Sequence, residues 1–259
     1  MSHALLSIIR FTLLEAWRNR WLALCIAGMI LVTVVVAFVG AMAITQRTEV
    51  MLSTAAIASR LGCIALVILM TVSAAVREAQ DRTFLIVLAS PVPRSGWIAA
   101  RASGLALIAA ATGCMMSMPL WGLNPGWGVA AWTLSLILEA MLVALLSLTI
   151  ALAIRQIAAA VLASAAFYLA ARVIGVVQML NDRAPLETQA SQVVVSGFLE
   201  VLALVLPRLD LFTLTSWVVP GGANAGIGSV AVLALQAALY CVLLVAAASF
   251  DLTRKDQMA

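Results

Sequence analysis

Charge is what this sequence has least of. Asp, Glu, Lys and Arg make up 10% of its 259 residues, against 64% hydrophobic residues, and the mean hydropathy is +1.13. No water-soluble domain of this length needs so much apolar surface, which leaves a polytopic membrane protein. Histidine and lysine are nearly missing: His3 is the only histidine and Lys255 the only lysine. With no H-E-x-x-H and no paired carboxylates inside an apolar run, an enzyme acting at membrane depth lacks its acid–base groups. No G-x-x-x-x-G-K-[ST] phosphate loop occurs, so nucleotide hydrolysis has no place in this chain. Cys25, Cys63, Cys114 and Cys241 all fall within apolar runs, where they read as small buried hydrophobes rather than a disulfide framework.

What is present is a series of apolar runs long enough to span a bilayer. Trp21 to Ile44 is uncharged; Ala41-Met42-Ala43 imitates a signal cleavage site, but the run before it is too long for a signal h-region, so this span is expected to be retained. A second run extends from about Met51 to Val76, interrupted by Arg60. The uncharged stretch from Ala102 to Glu139 is too long for one helix, and Gly122-Leu123-Asn124-Pro125-Gly126 divides it into a third span near 102–121 and a fourth near 127–154. Arg155-Gln156 marks a tight connection to a fifth span near 157–180, and a sixth runs from about Ser229 to Phe250. The expected fold is an all-α, six-span membrane protein forming a single transmembrane domain over 1–259.

Six spans put both termini on one side. That side holds Arg10, Arg18, Arg20, Arg77, Arg82, Arg94, Arg101, Arg155, Arg254 and Lys255. The other holds Arg47, Arg183 and Arg208 among Glu49, Asp182, Glu187, Glu200 and Asp210. The positive-inside rule therefore predicts cytoplasmic termini and a multi-pass protein of the inner membrane.

Three segments lie outside the spans. Residues 4–20 set Leu5, Ile8, Ile9, Leu13 and Trp17 against Arg10, Glu15, Arg18 and Arg20, the pattern of a helix lying in the cytoplasmic interface or of a simple start to the first span. The outer loop, 181–227, contains an apolar stretch from Val193 to Leu206 with Glu200 inside it and Pro207 at its end. This suits a re-entrant or interfacial helix; a seventh span there would place Arg254 and Lys255 outside, against the charge rule. The third segment, 81–97, is short, apolar and bracketed by arginines. Thr83 to Val92, at about ten residues, cannot cross a bilayer. Phe84, Leu85, Val87 and Leu88 suit a partner's groove with arginines at its rim, and Pro91 and Pro93 stop the helix; a helix in the headgroup region is the competing reading.

Several pieces together resemble the membrane subunit of ABC-2 type transporters. They are the amphipathic start leading into Glu15-Ala16-Trp17-Arg18-Asn19-Arg20-Trp21-Leu22; Glu78-x-x-Asp81-x-Thr83 after the second span; Leu85-x-x-Leu88-x-Ser90-Pro91-Val92-Pro93-Arg94; Ala100-Arg101 opening the third span; and Leu204 to Phe212 before the sixth. The chain departs from the family's usual pattern at Arg82, where a glycine is common, and at Ala100-Arg101, where Gly-Lys is common. Within the family the likeness is to the NosY-like permeases associated with multicopper-enzyme maturation. The resemblance implies that 81–97 is a coupling segment docked on a separate cytoplasmic ATPase, through Glu78, Asp81, Arg82, Thr83, Phe84, Leu85, Val87, Leu88, Pro91 and Arg94. It also implies that the partner binds ATP and Mg, that a second permease copy completes the pathway as a homodimer, and that the direction is export. A periplasmic or lipoprotein companion and membrane lipids are further expected partners; nucleic acid is not.

Arg60, Glu139 and Arg172 lie within the spans, where ionised groups are expensive. Glu139 either faces a pathway, pairs with an arginine, or rests protonated against neighbouring backbone; Arg60 has the option of snorkelling outward. A proton-coupled carrier or scaffold built on Glu139 is the alternative to an ATP-driven permease. Cys114, Met115 and Met118 form a soft cluster that suits Cu(I) in principle, although packing between helices explains it more simply, and no metal or cofactor is expected in this chain. Trp121, Trp127 and Trp217 read as interfacial anchors, and Gly28, Gly40, Gly104 and Gly113 as places for close helix contact.

Overall fold

The computed structural model describes residues 2–44, 46–80, 94–183, 207–222 and 225–256. Seven α-helices account for nearly all of them: α1 (Ser2–Arg18), α2 (Trp21–Met42), α3 (Arg47–Gln80), α4 (Arg94–Leu123), α5 (Trp127–Ile154), α6 (Ile157–Arg183) and α7 (Ile227–Asp256). Two short 3-10 turns, Leu209–Leu211 and Thr215–Trp217, lie between α6 and α7, and no strand occurs among the described residues. The six helices from α2 to α7 are long and apolar enough to cross a membrane. Hydrophobic runs set where the spans fall, and short connections join the helices. Arg20 turns the chain from α1 to α2 with φ 56°, Arg155 turns it from α5 to α6 with φ 53°, and residues 124–126 close the hairpin between α4 and α5.

The helix α5 is the centre of the bundle. It packs against α3, α4, α6 and α7, and Trp132, Leu136, Glu139, Ala140 and Ala144 along it are sealed from solvent. The helix α2 is peripheral: its buried residues Cys25, Val32, Val36 and Gly40 trace one narrow stripe, with Leu24, Ile30, Leu31, Val34 and Phe38 exposed. In water that outer face would drive aggregation; in lipid it costs nothing, because hydrocarbon tails are as apolar as the side chains. Close contact therefore depends on small residues. A Cβ on Gly104 would meet Thr12 of α1, one on Gly113 would meet Ile137 of α5, and one on Gly28 would meet the end of Met116.

Three expectations need correction. Buried cysteine holds for Cys25 and Cys63, but Cys114 is exposed and Cys241 half-buried; all four are free. The soft cluster is not packed between helices as a unit, since Met118 and Cys114 face outward while Met116, at 0% exposure, fills the gap between α2, α3 and α4. An outward apolar side chain needs no protein partner when its solvent is lipid, so hydropathy alone did not separate the two faces. Trp217 is buried and not an interfacial anchor, unlike Trp121 and Trp127, which are exposed.

Candidate functional site

Polar side chains gather at two places, one deep within the bundle and one at its end. The first joins the outer segment 207–217 to α5 and α6. Glu139, fully buried on α5, accepts hydrogen bonds from Tyr168 Oη at 3.0 Å and from Thr213 Oγ1 at 2.9 Å, and faces Arg172 Nη1 at 3.6 Å. The same Nη1 donates to the carbonyls of Leu209 and of Phe212, the latter at 2.8 Å, and to Thr213 Oγ1 at 3.3 Å. Ser135, one turn before Glu139, accepts from the backbone N–H of Thr213 at 2.7 Å.

Depth explains this arrangement. The helix α5 has 28 residues and so is about 42 Å long, against a hydrocarbon core of about 30 Å, which puts Glu139 close to the bilayer midplane. The 207–217 chain reaches that depth with only two short 3-10 turns and no α-helix, so carbonyls left outside those turns need donors that lipid cannot supply. Arg172 supplies them, and Glu139 balances the charge that this brings in. Thr213 holds φ at 48°, a costly value for a β-branched residue, and keeps it because both its backbone N–H and its hydroxyl are engaged.

The outer segment is fitted to the helices as closely as it is bonded. A Cβ on Gly128 would overlap the Trp217 carbonyl oxygen, and one on Gly175 would overlap the Asp210 carboxylate. Trp127 Nε1 donates to the Ala225 carbonyl at 2.8 Å, and Asn124 Nδ2 to the Val218 carbonyl at 3.3 Å. Gly128→Ala should lower stability in detergent by about 1–3 kcal/mol, since backbone must move to admit the methyl group. Gly228→Ala, where the added carbon meets open space, serves as the control and should leave the melting temperature unchanged or slightly raised. Equal melting of the two variants would mean that the segment does not sit against α5 this closely.

The second gathering is on the side expected to face the cytoplasm. Arg101 lies on α4 with 1% of its side chain exposed. Its Nη1 donates to Thr12 Oγ1 at 2.9 Å, and its Nη2 meets Glu15 at 2.9 Å and Glu78 at 3.0 Å. One guanidinium thus clamps α1 to both α3 and α4, and the close approach at Gly104, one turn on, leaves α1 near enough to be reached. Trp97, Ile98 and Ala248, with Ile8 and Val245 beside them, form a small apolar core that adds α7 to the same junction. Between α1 and α3 a cleft of about 360 Å³ opens, lined by Phe11, Glu15, Arg18, Asn19, Ala74, Arg77 and Glu78.

The residues singled out from sequence fall into these places unevenly. Glu78, assigned to the coupling set, is an ion-pair partner of Arg101. Asp81, Arg82, Thr83, Phe84, Leu85, Val87, Leu88 and Pro91 lie outside the described residues, as does the apolar stretch 193–206; Arg94 begins α4. Glu139 and Arg172 are brought together, while Arg60, within electrostatic reach of both, stands apart from their hydrogen bonds. Sequence reading missed Tyr168 and Thr213 as partners of Glu139 and Ser135 as the acceptor for the Thr213 N–H, and it counted Arg101, at the opening of the third span, only among the charges that set orientation, when it is a buried clamp. The Ala99-Ala100-Arg101-Ala102-Ser103-Gly104 run held the available signal, because an arginine among small residues marks a close helix contact. Among the described residues no cluster of His, Cys, Asp and Glu is arranged to hold a metal ion. Compared with known proteins, the sequence matches no family model and no curated protein.

Proposed function

We propose that this chain is the permease subunit of an ABC-2 type transporter, an exporter of the inner membrane driven by a separate ATPase that docks on 81–97. The observation that carries the reading is the Arg101 clamp. The helices α3 and α4 end and begin at Gln80 and Arg94, on either side of the short apolar segment, and one buried guanidinium ties both to the amphipathic α1. A segment that must pass a push from a soluble partner into a bundle needs rigid mounts at both ends, and an ion-paired three-helix junction supplies them. Six spans and the surplus of arginine on the side of both termini support cytoplasmic ends, the side on which an ATPase would sit. With ATP and Mg held by that partner, this chain contributes the pathway, completed by a second copy.

The alternative, a proton-coupled carrier using Glu139, draws less support. Both Glu139 oxygens are engaged, Oε1 by Tyr168 of α6 and Oε2 by Thr213 of the outer segment, and the carboxylate has no exposed surface from which to exchange a proton.

The test is affinity isolation after gentle solubilisation. Wild type should retain a phosphate-loop ATPase at one per permease chain, and Phe84→Asp should lose most of it, because a carboxylate in an apolar groove has no partner. Unchanged recovery from the variant would remove the docking role of the segment. Isolation of the chain without any ATPase across several detergents would favour the carrier.

A further inference from the structure

Arg60 is the cation that the network around Glu139 does not absorb. It lies on α3 about 20 Å along the helix from Arg47, within the membrane-spanning length. It is within electrostatic reach of Glu139, Tyr168 and Arg172, yet its buried Nε has no acceptor, and it forms no ion pair among the described residues. Among the described residues the nearby carboxylates each face another arginine: Glu139 faces Arg172, and Asp210 meets Arg208 at 3.2 Å through one oxygen. Among those residues one positive charge is therefore left over at a depth where an uncompensated charge is expensive.

The surface around it has a definite character. Ile57, one turn before Arg60, and Leu61, beside it, are both exposed. Across the seam where α3 packs on α6, Leu169 and Val173 are exposed on either side of Arg172. Among the described residues, every hydrogen bond and ion pair of Arg172 uses Nη1, and 20% of its side chain remains open. Among the described residues, two guanidinium groups thus border an apolar seam, one without an ion pair and the other with Nη2 outside the network.

We propose that the seam between α3 and α6 binds an amphiphile with an anionic headgroup, its head on Arg60 and Nη2 of Arg172 and its hydrocarbon chain along Ile57, Leu61, Leu169 and Val173. The guanidinium fork matches the oxygen spacing of a carboxylate or phosphate, which makes arginine the suited partner. The outward apolar residues give the tail a surface no different from the surrounding lipid, so the headgroup charge supplies the selectivity. A neutral lipid lacks the anion and an inorganic anion lacks the tail. The required chemistry is available from a free fatty acid or from an acidic phospholipid. Binding of this kind needs no ATPase, so it stands separately from the transport reading.

The test uses the purified full-length chain in a neutral detergent, with bound molecules counted by native mass spectrometry. Oleate, phosphatidylglycerol, phosphatidylcholine and inorganic phosphate are added in turn. One oleate or one phosphatidylglycerol should be retained per chain, and phosphatidylcholine and inorganic phosphate should not. Retention of oleate alone would name a single-chain carboxylate as the ligand, and of phosphatidylglycerol alone a membrane phospholipid; either supports the site. Arg60→Gln should weaken retention about tenfold or more, the usual effect of losing a charged hydrogen bond. Arg60→Lys should recover part of it, and Arg10→Gln, exposed on α1, should change nothing. Wild type that retains neither anionic amphiphile overturns the proposal without recourse to any variant. So does equal retention of phosphatidylcholine, or unchanged retention by Arg60→Gln. A dimer that Arg60→Gln dissociates, with no amphiphile bound to wild type, would assign the seam to a second copy instead.

Discussion

Glu139→Ala should destabilise the protein by about 3–5 kcal/mol, the usual cost of stripping one partner from a buried ion pair. Three losses combine. Arg172 keeps its charge at membrane depth without a counter-ion, Tyr168 loses its acceptor, and the Thr213 hydroxyl loses the bond that helps hold an unfavourable backbone angle. Glu139→Gln should cost less, because an amide oxygen still accepts from one of the two hydroxyls while the charge is gone. Arg172→Leu should not restore Glu139→Ala to wild-type stability, although it removes the stranded charge. The carbonyls of Leu209 and Phe212 would then have no donor in a region without water. Unfolding of each variant in mild detergent decides the matter, read as the melting temperature and as the denaturant midpoint. If Glu139→Gln stayed as stable as wild type yet abolished transport with no ATPase involved, the residue would be a proton carrier and not an anchor.

The spans were legible because a bilayer makes one demand that length and hydropathy answer directly. Trp127–Ile154 falls where the uncharged run and the turn at 122–126 put it, and Trp21 opens α2 as the apolar run does. The intramembrane charges stood out for the same reason: Glu139 and Arg172 are conspicuous in an apolar background. Their partners were not. Thr213 and Ser135 lie 78 residues apart along the chain and are joined by a hydrogen bond that no periodicity encodes. Trp217, placed just before a span, has the sequence position of an interfacial anchor, but the outer segment carries it inward against Gly128. Arg101, at the opening of the third span, reads from sequence only as one more charge on the side of the termini, because charge is usually a surface property. Its burial depends on Glu15 and Glu78 arriving from two other helices, 86 and 23 residues away in the sequence. The 81–93 segment lies outside the described residues, so the proposed coupling role rests on its sequence and on the mounts at either end.

Those mounts yield the second large effect. Arg101→Ala should cost about 3–5 kcal/mol and release α1 from the bundle. Without the guanidinium, Glu15 and Glu78 face one emptied pocket with no cation between them, and Thr12 loses its donor. Arg10 and Arg18 are exposed on α1, so trypsin should cut there several times faster once the helix swings free. Arg101→Lys should recover only part of the protection, because an ammonium is a compact donor that cannot reproduce a planar fork spanning two helices. Adding Glu15→Gln and Glu78→Gln to Arg101→Ala should restore some stability by removing the repulsion, though not the attachment of α1. The comparison with Glu139→Ala separates mounting from general weakening. Both variants lose stability, but under the proposed function only the one beside 81–93 should lose the ATPase on isolation, because among the described residues no hydrogen bond or ion pair joins the Glu139 network to the Arg101 junction. Equal loss of the ATPase from both would mean that docking follows overall stability, and the Arg101 junction would then be a packing feature rather than the fulcrum of coupling.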